Sequence, residues 1–255
     1  MRNTIMKPQS EIQIFKTSAE LAKAAGRLII DAAKNAINMR DRFVIALSGG
    51  HTPGQLYTHL SKPPFRDQIP WDKTFVFWGD ERCVPQDDEQ SNAHMARTLL
   101  LDHIDIPTTN INTVPADLPP IKAAIEYEHT IKKFFGEAPP RFDLIILGLG
   151  ENGHTASLFP QSDAVYENTS LVREVYVAEQ KMFRITMTAN LINQARNIVF
   201  LIEGENKAEI LKTVLTAPYQ PDKYPAQLIK PENGNLYWYT DNKAAMLLRA
   251  CREIN

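Results

Sequence analysis

The sequence predicts an α/β fold in which a mostly parallel sheet is covered by helices on both faces. Short β-branched or aromatic runs alternate with helical patterns along almost the whole chain, and this order is typical of parallel strands joined by crossover helices. Glycine-rich turns follow two of the apolar runs directly. In parallel sheets of this kind, such turns border the crevice in which ligands bind. The predicted strands are 12–15, 43–47, 74–78, 142–147, 172–178, 184–188, 198–202 and 236–239.

The first predicted helix has the clearest pattern. Ser18 is placed to cap it, and apolar residues then recur at helical spacing: Leu21, Ala24, Ala25, Leu28, Ile29, Ala32, Ala33 and Ile37. Each later helix starts with a capping residue or a proline. We expect these helices to begin near Thr52, Ser91, Pro119, Glu205 and Asp241.

Between Val172 and Thr188 two strand-like runs follow one another without room for a crossover helix. This spacing indicates a small antiparallel insertion in the otherwise parallel sheet. The proline-rich stretches 61–70 and 217–225 have the composition of surface loops. We therefore predict a single α/β domain over residues 1–255.

Composition and charge point away from nucleic acids and membranes. The chain is 44% hydrophobic and 23% charged, with a formal net charge of -2, so it has neither a polybasic surface nor an acidic tail. The N-terminal residues lack the apolar core of a signal peptide, and no apolar run approaches the roughly 20 residues that span a bilayer. We expect a cytoplasmic protein, a monomer or small homo-oligomer, with Cys83 and Cys251 as reduced thiols.

The first candidate site follows the predicted strand 43–47. Ser48, Gly49 and Gly50 lead into a helix near Thr52, and a helix N-terminus behind glycines offers backbone N–H groups and a favourable dipole to an anion. The same Gly-Gly turn also serves as a plain tight connection. Because the loop lacks the GK[ST] ending of a nucleotide P-loop, it does not predict triphosphate binding.

The second candidate site follows the predicted strand 74–78. Asp80 and Arg82 come at its carboxyl end, where parallel strands face a ligand crevice. We expect them to contact substrate hydroxyls and phosphate, although a solvated charge cluster would have the same sequence.

The third candidate site is GLGENGHTASLFP, directly after the predicted strand 142–147. GLGENG matches the dinucleotide fingerprint, but Pro160 interrupts the helix that such a site requires. The loop instead places Gly150, Asn152, Gly153 and His154 at the crevice, and neutral imidazole can take a proton from water. No clustered Cys/His spacing or HExxH motif predicts a metal site.

Five segments in this order resemble the 6-phosphogluconolactonase family: LSGGHTPGQLY, WGDERCVPQDDEQSNAHMARTLLL, FDLIILGLGENGHTASLFP, RITMT and GENKAEIL. The family belongs to a larger group that includes glucosamine-6-phosphate deaminase, whose counterpart of HTASLFP ends in Asn-Glu-Pro. Here Ser157, Leu158 and Phe159 precede Pro160, which favours the lactonase. Two positions depart from the commonest pattern, because Asn152 stands where many relatives have aspartate and His51 where serine is frequent.

The resemblance implies a Rossmann-like α/β fold of the glucosamine-6-phosphate deaminase and ribose-phosphate isomerase type. It also implies hydrolysis of a phosphosugar lactone, the second step of the oxidative pentose phosphate pathway, without a cofactor. We expect His154, Asp80 and Arg82 to be catalytic. We expect the substrate and its phosphate to be bound by Ser48, Gly49, Gly50, Thr52, Gly150, Asn152, Gly153, Arg184 and Lys207.

Two alternatives remain at this stage. A sugar-phosphate deaminase or isomerase would share the phosphate site but need ring-opening groups. A sugar-phosphate sensor on the same fold would carry a helix-turn-helix module, for which the ten or so residues before the first predicted strand leave no room.

Overall fold

The computed structural model describes residues 10–250 of the chain. Nine strands are present in this range: β1 Ser10–Phe15, β2 Phe43–Leu47, β3 Thr74–Trp78, β4 Asp80–Arg82, β5 Leu144–Leu147, β6 Val172–Val177, β7 Met182–Met187, β8 Asn197–Ile202 and β9 Asn235–Asp241. The α-helices in the same range are α1 Ser18–Arg40, α2 His51–Leu60, α3 Asn92–Leu99, α4 Pro120–Phe135, α5 Ala189–Ile192, α6 Ala208–Thr216 and α7 Met246–Ala250.

Six strands form one parallel sheet in the order β1-β9-β8-β5-β2-β3. The prediction of a mostly parallel, Rossmann-like sheet with flanking helices is therefore confirmed. From β2 the chain moves outward to β3, whereas from β5 it moves the other way to β8 and β9. This reversal is a topological switch point, where the loops after the two central strands diverge and leave a crevice at their carboxyl ends.

A second, three-stranded antiparallel sheet has the order β4-β7-β6. The hairpin of β6 and β7 confirms the predicted antiparallel insertion. The strand β4 is absent from the predicted strands, because the run Asp80 to Arg82 consists of charged residues and has no strand pattern of its own. It is a strand because it pairs with β7, Asp80 opposite Thr186 and Arg82 opposite Arg184.

The central strands β2 and β5 are buried at every position, as apolar strands covered on both faces must be. Two buried tyrosines form hydrogen bonds with the backbone at the strand ends that lead to the crevice. The Tyr57 hydroxyl accepts a hydrogen bond from the Ser48 N–H (3.0 Å) and donates to the Ser48 carbonyl (2.7 Å). The Tyr127 hydroxyl makes the same pair of bonds with Trp78 (2.7 and 2.9 Å). Backbone groups at the ends of β2 and β3 are thereby satisfied inside the core.

One predicted helix cap and one predicted helix start were wrong. Thr17, not Ser18, caps α1, because its side chain accepts the Glu20 N–H at 3.2 Å. Asp241 ends β9 instead of starting a helix, and its carboxylate accepts the N–H groups of Gly204 (3.2 Å) and Ala244 (2.8 Å).

The predicted start near Glu205 is a single 3₁₀ turn, Glu205–Lys207, ahead of α6.

Cys83 is a free thiol whose burial raises its pKa to about 11, and Cys251 lies outside the described residues. Within residues 10–250, no helix combines the length and the apolar character needed to cross a bilayer.

Candidate active site

A cavity of about 890 Å³ lies at the carboxyl ends of the parallel strands. Its walls come from the loops after β2 and β5 at the switch point, from the segment after β8, and from β4 and β7 of the small sheet. The predicted site residues, which are far apart in sequence, therefore meet at one place. Those that line the cavity are Ser48, Gly49, Gly50, Thr52, Asp80, Arg82, Gly150, Asn152, His154, Arg184 and Lys207.

Gly153 is the one predicted site residue that does not line the cavity. It is buried behind the loop, where an added Cβ would lie 3.1 Å from the backbone of Tyr224, and its φ is +83°. Glycine is the residue that adopts this conformation without strain. Gly153 therefore shapes the loop that presents His154.

The glycine loop after β2 approaches its neighbours closely. A Cβ on Gly49 would lie 1.8 Å from Oδ1 of Asn92, and Gly50 adopts a φ of +103° as the N-cap of α2. Among the described residues, no side chain caps this helix. The first-turn N–H groups of α2 consequently keep their capacity to bind an anion in the cavity.

His154 is held by a hydrogen bond between Nδ1 and Oδ1 of Asn152, at 2.6 Å. The backbone N–H of His154 donates to the same Oδ1 at 3.2 Å, which identifies that atom as the amide oxygen. Because an amide oxygen only accepts, Nδ1 carries the proton and Nε2 is the free, basic nitrogen. The site thus contains a histidine with a defined tautomer although residue 152 is not an aspartate.

The pKa of His154 is lowered to about 4, mainly because the imidazole is buried and in part because the cationic side chains of Arg184, Lys207 and Arg82 are near it. The carboxylate of Asp80 acts in the opposite direction and raises it. The imidazole is therefore neutral at physiological pH, which is the form that accepts a proton.

The Asp80 carboxylate is buried and held from several sides. Ser157 Oγ donates to Oδ2 at 2.6 Å, and Arg184 Nη1 lies 3.5 Å from the same oxygen. Asn92 Nδ2 donates to the Asp80 carbonyl at 2.8 Å. Asp80 is consequently a fixed negative charge among the cations of the cavity. Neither Ser157 nor Asn92 was predicted to support the site, because the bonds join segments whose proximity only the fold creates.

Successive side chains of a strand point to opposite faces. Asp80 and Arg82 on β4 line the cavity, whereas Glu81 between them does not. Its carboxylate accepts the N–H groups of Arg82, Asn92 and Ala93, each at 2.7 Å. Burial raises the pKa of Glu81 and these bonds oppose the rise. Glu81 therefore joins β4 to the start of α3.

His51, which stands where serine is frequent in the family, also lines the cavity, and its side chain is largely exposed. Its Nδ1 lies 2.5 Å from Oε1 of Glu203, and Gln55 Nε2 donates to the same oxygen at 3.2 Å.

The Lys207 ammonium is 3.9 Å from Oε1 of Glu151. Among the described residues, no group of three or more potential ligand side chains is arranged to hold a metal ion.

The fold and this site define a Rossmann-like α/β enzyme whose cleft contains a neutral histidine and several arginine and lysine side chains. The family profile described as glucosamine-6-phosphate isomerases/6-phosphogluconolactonase matches residues 16–238. The chain belongs to this family.

Two relatives show how far the similarity extends. A 6-phosphogluconolactonase of a Synechocystis species is 42% identical over 248 residues, which cover 96% of this chain and 100% of the relative. The solved 6-phosphogluconolactonase from Trypanosoma cruzi has a TM-score of 0.83 at 28% identity and covers 96% of this chain and 99% of its own. A monomeric glucosamine-6-phosphate deaminase has a TM-score of 0.80 at 21% identity, a likeness of fold alone.

Proposed function

We propose that this chain hydrolyses 6-phospho-D-glucono-1,5-lactone to 6-phospho-D-gluconate, the second step of the oxidative pentose phosphate pathway. The observation that carries the proposal is the neutral His154, whose Nδ1–H is bound to Asn152 and whose Nε2 is therefore unprotonated, in a cavity lined by Arg82, Arg184 and Lys207. The names of the relatives across the full length of the chain support the same reaction.

A lactone is an activated ester, so the enzyme has to activate a water and stabilise an oxyanion. His154 Nε2 takes a proton from water as its oxygen attacks the carbonyl carbon. The tetrahedral intermediate then collapses, the bond to the ring oxygen breaks, and His154 returns the proton to that oxygen. The Arg82 guanidinium or the N–H groups of the glycine loops stabilise the oxyanion.

Asp80 has two roles in this proposal. Its fixed charge raises the pKa of His154, and it therefore stabilises the imidazolium that exists between the two proton transfers. It is also placed to accept hydrogen bonds from substrate hydroxyls, since it lines the cavity.

The phosphate lies away from the reacting bond in this proposal. Ser48, Gly49, Gly50 and Thr52 supply the loop and the start of α2, and the side chains of Arg184 and Lys207 supply positive charge. Such remote binding orients the lactone for attack.

The direct test uses the purified chain and freshly generated 6-phosphogluconolactone. We expect hydrolysis well above the spontaneous rate, and no ammonia release from glucosamine 6-phosphate in a parallel assay. Hydrolysis at the spontaneous rate would refute the lactonase. Ammonia release would assign the chain to the deaminases instead.

Replacing Arg184 by alanine should mainly weaken substrate binding. Loss of a charged hydrogen-bonding group corresponds to an increase in KM of about 10- to 100-fold, with a smaller change in kcat. The measurement is steady-state hydrolysis over a range of lactone concentrations. Arg173→Ala is the matched control, because Arg173 lies on the neighbouring strand β6, pairs with Glu167 and is not a cavity-lining residue. Equal KM values for the two variants would contradict the phosphate role.

The pH dependence of kcat/KM, which reports the ionisation of the free enzyme, should reveal what the amide at residue 152 does. Since the pKa of His154 is about 4, protonation of this base should lower kcat/KM only as the pH approaches 4. Asn152→Asp places a carboxylate beside the Nδ1–H, which favours imidazolium and should move the acid limb up by about 1 to 3 pH units.

The control for this change is Asn206→Asp. Asn206 also lines the cavity, but its amide donates to Glu151 and not to His154. The added charge should therefore move the acid limb less than it does at residue 152. If the acid limb of Asn152→Asp lies at the same pH as that of the wild-type chain, the hydrogen bond between residue 152 and His154 does not determine the pKa of the base.

A further inference from the structure

One aromatic ring in the cavity wall contacts both the candidate base and a candidate phosphate ligand. Phe159 is 8% exposed, and its ring stacks on the His154 imidazole with centroids 4.2 Å apart and an interplanar angle of 25°. The Arg184 guanidinium carbon lies 5.5 Å from the centre of the same ring. Neither the phosphate subsite nor the proton transfer described above uses Phe159.

We propose that Phe159 is a positioning residue that fixes the plane of the His154 imidazole and so aims Nε2 at the attacking water. The kinetic part of this inference rests on the proposed lactonase function. The orientation of the ring does not, and it can be measured without substrate.

The hydrogen bond to Asn152 alone does not fix the imidazole. A single bond at Nδ1, 2.6 Å long, still allows the ring to turn about the line that joins the two atoms. A stacked aromatic face resists that rotation, because turning the ring out of plane loses the contact area between the two rings. Phe159 therefore supplies the restraint that Asn152 lacks.

Gly150 adds to the same restraint. An added Cβ at this position would lie 2.1 Å from Nδ1 and Cε1 of His154, so the imidazole packs directly on the backbone of Gly150. The ring thus has a backbone contact, an aromatic face and a hydrogen-bond acceptor around it. General-base catalysis needs this precision, because a displacement of about 1 Å can cost about 100-fold in rate.

The charged groups that face His154 do not replace this restraint. Asp80 attracts the imidazolium, whereas Arg184, Lys207 and Arg82 repel it. These forces act on the charge of the ring and depend weakly on its plane. Phe159 also contributes to the burial that lowers the pKa of His154, so a smaller side chain at residue 159 should raise that pKa toward its ordinary value.

The test compares two histidine–phenylalanine pairs of this chain. Phe159→Leu removes the ring beside His154. Phe65→Leu removes the ring that lies 4.2 Å from His59, a pair whose members are not among the residues that line the cavity. Phe159→Met is made as well, because a flexible side chain fills the space without an aromatic face if leucine impairs folding. Thermal unfolding is measured for all three variants.

We expect Phe159→Leu and Phe159→Met to lower kcat by about 10- to 100-fold, with a smaller change in KM and with the acid limb of kcat/KM moved to higher pH. Phe65→Leu should keep kcat within about 2-fold, whatever it does to stability. Wild-type kcat in both Phe159 variants, or the same loss in Phe65→Leu, would overturn the proposal.

Nitrogen-15 NMR of the imidazole is the readout that does not need activity. The wild-type chain should show His154 as the Nδ1–H tautomer with one narrow set of imidazole signals. Phe159→Leu should keep this tautomer, because Asn152 still accepts the Nδ1–H, but its signals should broaden as the ring exchanges between orientations. Equally narrow signals in Phe159→Leu would overturn the positioning role. If the wild-type chain lacks lactonase activity, the proposed function fails, while these line widths still decide whether Phe159 orients His154.

Discussion

His154→Ala should lower kcat for lactone hydrolysis by about 10²- to 10⁴-fold, the range of general acid–base catalysis. The reason is geometric as well as electrostatic. Nδ1 is committed to Asn152 at 2.6 Å, so Nε2 is the one imidazole nitrogen that can take the proton from water. Without it, the oxyanion donors and the phosphate ligands still bind the lactone, and KM should change much less than kcat.

The measurement needs subtraction of the spontaneous reaction, because lactones hydrolyse in water without enzyme. His129→Ala is a suitable control, since His129 lies on α4 and is not a cavity-lining residue. Added imidazole should restore part of the rate in His154→Ala by entering the space that the side chain leaves. A variant that hydrolyses the lactone as fast as the wild-type chain would remove His154 from the mechanism.

The glycine loops could be predicted from sequence because their signal is local. In both, an apolar strand runs directly into glycines, at Ser48 to Gly50 after β2 and at Gly148 to Gly150 after β5. Strand propensity and turn chemistry depend on residues that are neighbours in sequence, so they can be recognised without knowledge of the fold. The same holds for most of the strands of the large sheet, whose predicted bounds differ from the observed ones by a few residues.

The parts that could not be predicted depend on contacts between distant segments. Residues 80–82 form a strand because they pair with β7, about a hundred positions away, and three charged residues in a row carry no strand pattern of their own. The supports of Asp80 are equally non-local, since Ser157 reaches it across the fold. At the start of α1, two adjacent hydroxyl residues, Thr17 and Ser18, are both good caps, and only the backbone geometry distinguishes them.

Glu81→Ala should be among the most destabilising single substitutions in this chain. The Glu81 side chain is buried, and its carboxylate accepts three backbone N–H groups at 2.7 Å. Alanine leaves these donors without their acceptor. The bond from Asn92 is buried and the other two are partly buried, so at about 1–3 kcal/mol for a buried group left unsatisfied we expect a loss of about 3 kcal/mol in the free energy of unfolding. For a chain of this length that loss lowers Tm by about 6–12 °C.

Asp88→Ala is the matched control within the same segment. Asp88 also accepts a backbone N–H at 2.7 Å, from Gln90, but Asp88 is only partly buried and the bond is exposed, so water can replace it and the loss should stay below about 1 kcal/mol. Both variants are compared by chemical and thermal denaturation. If Glu81→Ala and Asp88→Ala lose the same free energy of unfolding, the buried hydrogen bonds of Glu81 are not what holds β4 to α3.

The consequence of Glu81→Ala for catalysis follows from its neighbours. Asp80 and Arg82 flank it on β4 and line the cavity, and Asn92, whose N–H it accepts, also holds the Asp80 carbonyl. In molecules that remain folded, kcat should therefore fall although Glu81 does not line the cavity. Full kcat in the folded fraction would mean that β7 alone, through its pairing with β4, is sufficient to position Asp80 and Arg82.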